Sequence, residues 1–172
     1  PHSIVALTGK KQPIHLLANL VLAIGLTLIL IVAINSSFRV FFLVLGSCLL
    51  GYLYQGPPFR LGYKGLGEPL CWIAFGPLAT SAVLLSITPK EYYLNSIPWV
   101  TVFWLGAGPA LATSLILFCS HFHQVSEDRK HGKRSPIVIL GPKIASNLIP
   151  LFISLIFLLE WIPIFIKLWN WT

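Results

Sequence analysis

The chain alternates long apolar runs with short polar stretches. Five apolar runs, almost free of charged side chains, lie at residues 14–34, 38–54, 69–88, 97–120 and 144–166. A helix needs about 20 apolar residues to cross the ~30 Å hydrocarbon core of a bilayer. The runs are continuous rather than alternating, which favours helices over β-barrel strands. The pattern therefore predicts an all-α membrane protein, a polytopic bundle with five transmembrane helices in this chain.

The charge distribution gives the predicted bundle an orientation. Charged residues make up 10% of the chain and its net charge is +7, whereas a soluble domain averages about 25% charged residues. If the five spans alternate in direction, nine of the basic residues share the predicted cytoplasmic side: Lys10, Lys11, Arg60, Lys64, Arg129, Lys130, Lys133, Arg134 and Lys143. The other side has three, Arg39, Lys90 and Lys167. This asymmetry follows the positive-inside rule, so the basicity indicates membrane topology rather than nucleic-acid binding.

A Gly/Pro-rich loop follows the second span, on the basic side of the membrane. Residues 55–68 contain four glycines and two prolines, which exclude a continuous helix. The loop and the residue before it present Tyr54, Arg60, Tyr63 and Lys64. Glycine backbone and cationic side chains are suited to phosphate oxygens. The alternative is an interfacial turn whose cations only obey the positive-inside rule.

A second polar loop follows the fourth span, on the same side of the membrane. Residues 121–135 hold two acids, four basic side chains and three histidines. Gln124, Glu127 and Asp128 have helical spacing, so a continuing helix would place them on one face. Mg²⁺ is usually bound by one or two carboxylates together with substrate phosphates, and the neighbouring cations would neutralise a diphosphate. A solvated, mixed-charge loop is the alternative.

Other polar residues are less specific. The two rings of His121 and His123 would diverge on a helix, so we favour polar contacts, or a bond to the hydroxyl of an aromatic substrate, over a zinc site. Glu160 lies inside the fifth span and has no assigned role. The Gly76-Pro77 pair predicts a kink in the third span.

The two loops, in this order and two spans apart, resemble those of the UbiA-type membrane prenyltransferase superfamily. The first motif is Tyr-Gln-Gly-Pro-Pro-Phe-Arg-Leu-Gly-Tyr-Lys-Gly-Leu-Gly-Glu at 54–68, and the second is His-Gln-Val-Ser-Glu-Asp at 123–128, followed by Gly-Lys-Arg-Ser-Pro at 132–136. Residues 54–63 of the first motif, Phe-Gly-Pro at 75–77 and Phe-Cys-Ser-His-Phe-His-Gln-Val at 118–125 are most similar to the 1,4-dihydroxy-2-naphthoate prenyltransferase branch in its cyanobacterial and plastid form.

This resemblance implies a fold and a reaction. The expected fold is a nine-helix bundle around a central cavity, of which residues 1–172 would be one partial domain holding roughly spans three to seven. The expected reaction transfers a prenyl group, phytyl in this branch, from its diphosphate to 1,4-dihydroxy-2-naphthoate in phylloquinone or menaquinone biosynthesis. Mg²⁺ is the implied cofactor, and a cyanobacterial or chloroplast membrane is the implied location.

The resemblance also implies roles for individual residues. Asp128 and Lys64 would be catalytic, and Asp128, Glu127 and Gln124 would lie on the metal side. The diphosphate would be bound by Tyr54, Arg60, Lys64, Arg129, Lys133 and Arg134. The superfamily usually has Asp where this chain has Gln124, and an acid is common where it has Ser126. The chain thus offers fewer carboxylates than most members do.

Three alternatives to this function remain. The first is another aromatic acceptor, such as homogentisate or 4-hydroxybenzoate. The second is a non-enzymatic membrane bundle whose cationic loops bind an anion. The third is an inactive partial product, because the chain begins at Pro1 without a methionine and the partner acidic motif would lie upstream. The 172 residues alone are therefore expected to show no turnover.

Overall fold

The computed structural model describes residue 9 and residues 11–88 and 97–165. Its helices, in chain order, are α1 (Lys11–Asn35), α2 (Phe38–Gln55), α3 (Gly67–Ile87), α4 (Trp99–Ser120), α5 (Val125–Lys130), α6 (Pro136–Leu140) and α7 (Pro142–Phe165). Short 3-10 turns occupy Leu61–Lys64 and His121–Gln124. Lys10, Lys90 and Lys167, which enter the predicted charge asymmetry, lie outside the described residues.

The five predicted spans are confirmed as helices long and apolar enough to cross a membrane. Much of their apolar surface faces outward: Ile87 and Ile116 are 71% and 72% exposed. In water such a surface would be a liability, but in a bilayer the lipid tails cover it. Interhelical contacts must therefore come from close packing rather than from the removal of apolar surface from water.

Helices α3 and α4 approach closely because glycines lie where they cross. A Cβ atom on Gly76 would lie 3.1 Å from the Cβ of Ala110, and one on Gly106 would lie 3.2 Å from the carbonyl oxygen of Gly76. The indole N–H of Trp72 donates a hydrogen bond to the carbonyl of Ala107 at 3.3 Å. The small residues bring the two backbones together, and the indole bond adds a polar contact between the helices.

The Gly76-Pro77 pair, at which the sequence predicts a kink, lies in a π-helical turn. The segment Ala74–Leu78 is π-helical and lies within α3. Proline lacks the N–H that would continue the α-helical bonding, and a wider turn is one way to accommodate that loss. The turn therefore comes at the point where α3 packs on α4.

Helix α4 packs on α7 along its other side. Phe118, Ile137 and Ala145 form a buried cluster, and the rings of Phe118 and Phe152 are 5.6 Å apart. Further along, the carboxylate of Glu160 lies against Gly108, where a Cβ atom would collide with it. The unassigned acid of the fifth span thus faces α4 rather than lipid.

The two polar loops meet at one end of the bundle, as the alternation of spans predicted. The backbone N–H of Arg134 donates to the carbonyl of Tyr63 at 2.8 Å. Gly65 has a φ of 80°, and a Cβ atom on it would lie 2.8 Å from the carbonyl oxygen of Arg134. A side chain at position 65 would therefore be strained and would push the loops apart.

The glycine contact between α3 and α4 yields a stability prediction. Replacing Gly76 by valine adds atoms against Ala110 and the backbone of α4, which should lower the free energy of unfolding by about 1–3 kcal/mol. Thermal denaturation of the purified protein in detergent measures the loss. Gly25→Ala is the control, because a Cβ atom there meets no neighbour within 4 Å. Equal midpoints for Gly76→Val and the parent would contradict the packing.

Candidate functional site

Tyr54 supports the first loop from below. Its ring fills the space beneath two glycines: a Cβ atom on Gly62 would lie 2.7 Å from ring carbon Cε2, and one on Gly67 would lie 2.8 Å from the same carbon. The hydroxyl of Tyr52 donates to the carbonyl of Pro57 at 2.8 Å. Two tyrosines at the end of α2 thus hold the loop in place. The Tyr54 ring leaves no room for a Cβ atom at positions 62 and 67, which explains the glycines there.

Four of the predicted diphosphate-binding cations are exposed and belong to the two loops that meet. These residues are Arg60, Lys64, Arg129 and Arg134. The guanidinium of Arg60 lies 5.8 Å from the centre of the Tyr63 ring, a cation–π distance. Arg60 has a φ of 44°, a left-handed conformation that is uncommon for residues other than glycine. The contact between Tyr63 and Arg134 joins the two loops that carry these cations, and we call the region around this contact the mouth.

A buried charged cluster lies beneath this mouth. The ring of His121 separates two carboxylates: its Nε2 is 3.6 Å from Oε1 of Glu68, and its Nδ1 is 3.5 Å from Oδ2 of Asp128. The Nζ of Lys133 is 3.4 Å from both Oδ1 of Asp128 and Nδ1 of His121. The exposed fractions of these side chains are low, 16% for Glu68, 4% for His121, 7% for Asp128 and 12% for Lys133.

The structure does not place Gln124, Glu127 and Asp128 on one face, so that expectation is wrong. The continuing helix on which the expectation depended is absent, because the 3-10 turn His121–Gln124 ends α4 and Gln124 precedes α5, which holds both Glu127 and Asp128. Asp128 points inward, whereas Gln124 is exposed. Glu127 is 57% exposed, and its Oε2 lies 3.7 Å from Nδ1 of His131.

Lys133 differs from the other predicted diphosphate ligands. It lies inside the cluster as a counter-ion to Asp128, while Arg134, the next residue, is exposed at the mouth. The backbone N–H of Lys133 also donates to the carbonyl of Asp128 at 2.8 Å, which closes the turn after α5. In this structure Lys133 therefore compensates buried negative charge.

Glu68 is a site residue that sequence reasoning missed. It lies in the first turn of α3, and its backbone carbonyl accepts a hydrogen bond from the hydroxyl of Ser114 at 3.2 Å. A signal was available: it is an acid at the loop end of an otherwise uncharged span. His121, for which polar contacts were expected, is the residue that joins Glu68 to Asp128.

Three carboxylate oxygens of the cluster have unmet hydrogen-bonding capacity. Both oxygens of Glu68 and Oδ2 of Asp128 are buried and have no hydrogen-bond partner within the described part of the chain. The His121 nitrogens are too distant for good hydrogen bonds. Buried acceptors are normally satisfied, so these oxygens are the groups most available to a ligand.

The donor set fits a magnesium ion only if a substrate supplies further ligands. Across residue 9 and residues 11–88 and 97–165, no group of three or more His, Cys, Asp or Glu side chains is arranged to hold a metal ion. Mg²⁺ keeps several waters and often takes one or two protein carboxylates and substrate phosphates. The free Oδ2 of Asp128 suits one such protein ligand.

Apolar cavities lie next to the cluster. One of about 290 Å³ is bounded by α3, α4 and α7, and Glu68, Trp72, Phe118 and Phe152 are among its lining residues. A second, of about 440 Å³, lies mainly between α2 and α3, with Tyr54 and Gly67 among its lining residues. The site therefore combines exposed cations, buried carboxylates and apolar space.

The chain is similar to known prenyltransferases. It is 41% identical over 159 residues to the 2-carboxy-1,4-naphthoquinone phytyltransferase of Synechocystis sp., an alignment that covers 92% of this chain and 50% of that protein. It is 43% identical over 140 residues to the chloroplastic 2-carboxy-1,4-naphthoquinone phytyltransferase of Arabidopsis thaliana, with 81% and 37% covered. The chain thus spans half or less of the length of these curated relatives.

No solved structure matches the chain. The model of the UbiA prenyltransferase family matches residues 1–172. Because this match extends over the whole chain, the chain belongs to the UbiA prenyltransferase family.

Proposed function

We propose that the protein transfers a prenyl group, phytyl, from its diphosphate to 1,4-dihydroxy-2-naphthoate, on the way to phylloquinone or menaquinone. The observation that carries the proposal is the contact between the two loops. The hydrogen bond from Arg134 to Tyr63 brings exposed cations from both loops above the buried carboxylates. The relatives, named as phytyltransferases acting on a carboxylated naphthoquinone, support a phytyl donor and a naphthalene-type acceptor.

The cations at the mouth bind the diphosphate in this proposal. Arg60, Lys64, Arg129 and Arg134 offer charge-assisted hydrogen bonds to phosphate oxygens, and arginine can bind two of them at once. Tyr54 keeps the first loop in place from beneath. Asp128 would hold Mg²⁺, which when bound would neutralise charge on the leaving diphosphate, whereas Glu127 and Gln124 are exposed and do not share its inward direction.

The apolar cavity provides the surroundings in which an allylic cation survives. Aromatic side chains that line the two apolar cavities supply cation–π stabilisation, and the scarcity of polar groups excludes the water that would capture the cation. Lys64, beside the leaving group, stabilises its developing charge and is for that reason assigned as catalytic together with Asp128.

The proposal places these residues in a larger protein. Residues 1–172 would be a partial domain of a nine-helix bundle in a cyanobacterial or chloroplast membrane, with a second acidic motif supplied by the rest of the protein. The five membrane-length helices and the half-length coverage of the relatives support this assignment.

Asp128 is predicted to be essential for turnover. In membranes that contain the full-length protein, with Mg²⁺, phytyl diphosphate and 1,4-dihydroxy-2-naphthoate, Asp128→Asn should reduce product formation by about 10²-fold or more, because it removes the inward charge without changing the size of the side chain. Ser126→Ala, on the exposed side of the same helix, is the control and should retain activity.

Chromatography of the prenylated product gives the answer. Normal turnover by Asp128→Asn would exclude the metal-side assignment. Parallel assays with homogentisate and 4-hydroxybenzoate test the alternative acceptors. If none of the three acceptors gives a prenylated product, a non-enzymatic anion-binding bundle is favoured.

Lys64 is predicted to act on the donor rather than on the acceptor. Lys64→Met should lower kcat/KM for phytyl diphosphate about tenfold, since one charge-assisted hydrogen bond to phosphate is lost, and should leave the KM for the naphthoate within about twofold. Lys143→Met is the matched control, because Lys143 is an exposed lysine at the start of α7 without an assigned role. A rise in the KM for the acceptor alone would contradict the assignment.

A further inference from the structure

Glu68 is held in place by its backbone, while its side chain contacts His121 at 3.6 Å but forms no hydrogen bond with the described residues. Ser114 on α4 donates to the Glu68 carbonyl, which fixes the first turn of α3 against α4. The Glu68 side chain is 16% exposed, and neither carboxylate oxygen has a hydrogen-bond partner among the described residues. A buried carboxylate without hydrogen bonds is costly, so its retention at a fixed position needs an explanation.

The surroundings of Glu68 show what kind of ligand suits it. In the cavity of about 290 Å³, Glu68 is the one charged side chain among the described lining residues, and the rings of Trp72, Phe118 and Phe152 contribute flat apolar walls. The hydroxyl of Ser114, which also lines the cavity, already donates its hydrogen bond to the backbone carbonyl of Glu68. A flat aromatic molecule that donates one hydrogen bond at its edge complements this cavity.

We propose that Glu68 binds the hydroxyl group of the aromatic acceptor and accepts its proton during prenyl transfer. This inference rests on the proposed function and gives a role to Glu68, the last residue of the first loop. The hydroxyl proton supplies the hydrogen bond that a Glu68 oxygen lacks, and the ring stacks within the aromatic walls. Loss of the proton makes the ring carbon next to the hydroxyl a stronger nucleophile.

The step balances with the reactants already named. The acceptor O–H bond breaks and its proton moves to Glu68, while the adjacent ring carbon forms a bond to C1 of the prenyl group. The bond between C1 and the diphosphate oxygen breaks, and its electron pair leaves with the diphosphate. The ring carbon then releases its original substituent, a proton or carbon dioxide. Glu68 returns the proton to the ring oxygen, which restores the hydroxyl.

His121 gives this assignment a geometric basis. One of its ring nitrogens faces Glu68 and the other faces Asp128, at 3.6 Å and 3.5 Å. One buried ring therefore sets the separation between the carboxylate assigned to the acceptor and the carboxylate assigned to the diphosphate end. His121 is a positioning residue in this account, because it contacts both carboxylates rather than the substrates.

The test compares two probes that differ only at the hydroxyl. Equilibrium dialysis measures the binding of 1-hydroxy-2-naphthoate and of 1-methoxy-2-naphthoate to the full-length protein in lipid nanodiscs. The parent protein should prefer the hydroxyl form about tenfold, since a hydrogen bond to a charged group is lost in the ether. Glu68→Gln, which keeps the size of the side chain, should reduce the preference to about twofold.

Turnover provides a second, independent measurement. Glu68→Gln should reduce kcat at saturating acceptor by about 10²-fold or more, while the KM for phytyl diphosphate stays within about twofold. Glu68→Asp, which keeps the charge, should recover part of the hydroxyl preference. Glu160→Gln makes the same chemical change at the α4–α7 contact and should leave the preference intact.

The outcomes separate this inference from the proposed function. An intact preference and normal kcat in Glu68→Gln, with prenylated product from the parent, would overturn the role of Glu68 and leave prenyl transfer standing. A parent protein that binds the two probes equally would overturn it as well. Loss of the preference in Glu68→Gln without product from the parent in any assay would support the hydroxyl site and refute prenyl transfer.

Discussion

The burial of two carboxylates at the end of an apolar bundle is the constraint on which the site depends. Glu68 lies in the first turn of α3 and Asp128 lies on α5, with His121 between them and Lys133 beside Asp128. Burying such charges without compensation is strongly unfavourable. The helix ends that carry them are therefore held by the Ser114–Glu68 bond, the Arg134–Tyr63 bond and the Lys133 turn.

This arrangement separates two kinds of cation that the sequence does not distinguish. Lys133 and Arg134 are neighbours in one basic motif, yet Lys133 is buried against Asp128 and Arg134 is exposed beside the first loop. One neutralises the protein's own charge, and the other remains available to an anionic ligand. In the proposed reaction, the exposed cations bind the diphosphate and the buried Glu68 binds the acceptor. The two ligands would then lie close together, as transfer of the prenyl group between them requires.

The spans and the meeting of the loops could be predicted because they follow from strong, local signals. Five apolar runs set the helices, and their alternation put both Gly-rich and charged loops on one side. The direction of individual side chains could not be predicted in the same way. Glu127 and Asp128 are consecutive residues of α5, about 100° apart around its axis, and only the packing of α5 makes Asp128 the one that faces inward. In the sequence Glu68 is only an acid at the loop end of an uncharged span, whereas its burial against α4, which makes it a candidate site residue, is a tertiary property.

The central claim is that the mouth between the two loops binds the diphosphate. The most direct measurement is an experimental structure of the full-length protein with Mg²⁺ and an unreactive prenyl thiodiphosphate. The account predicts phosphate oxygens within hydrogen-bond distance of Arg60, Lys64 and Arg134, on the side of the cluster where Asp128 lies. A diphosphate bound elsewhere, with these three side chains free in solvent, would contradict it.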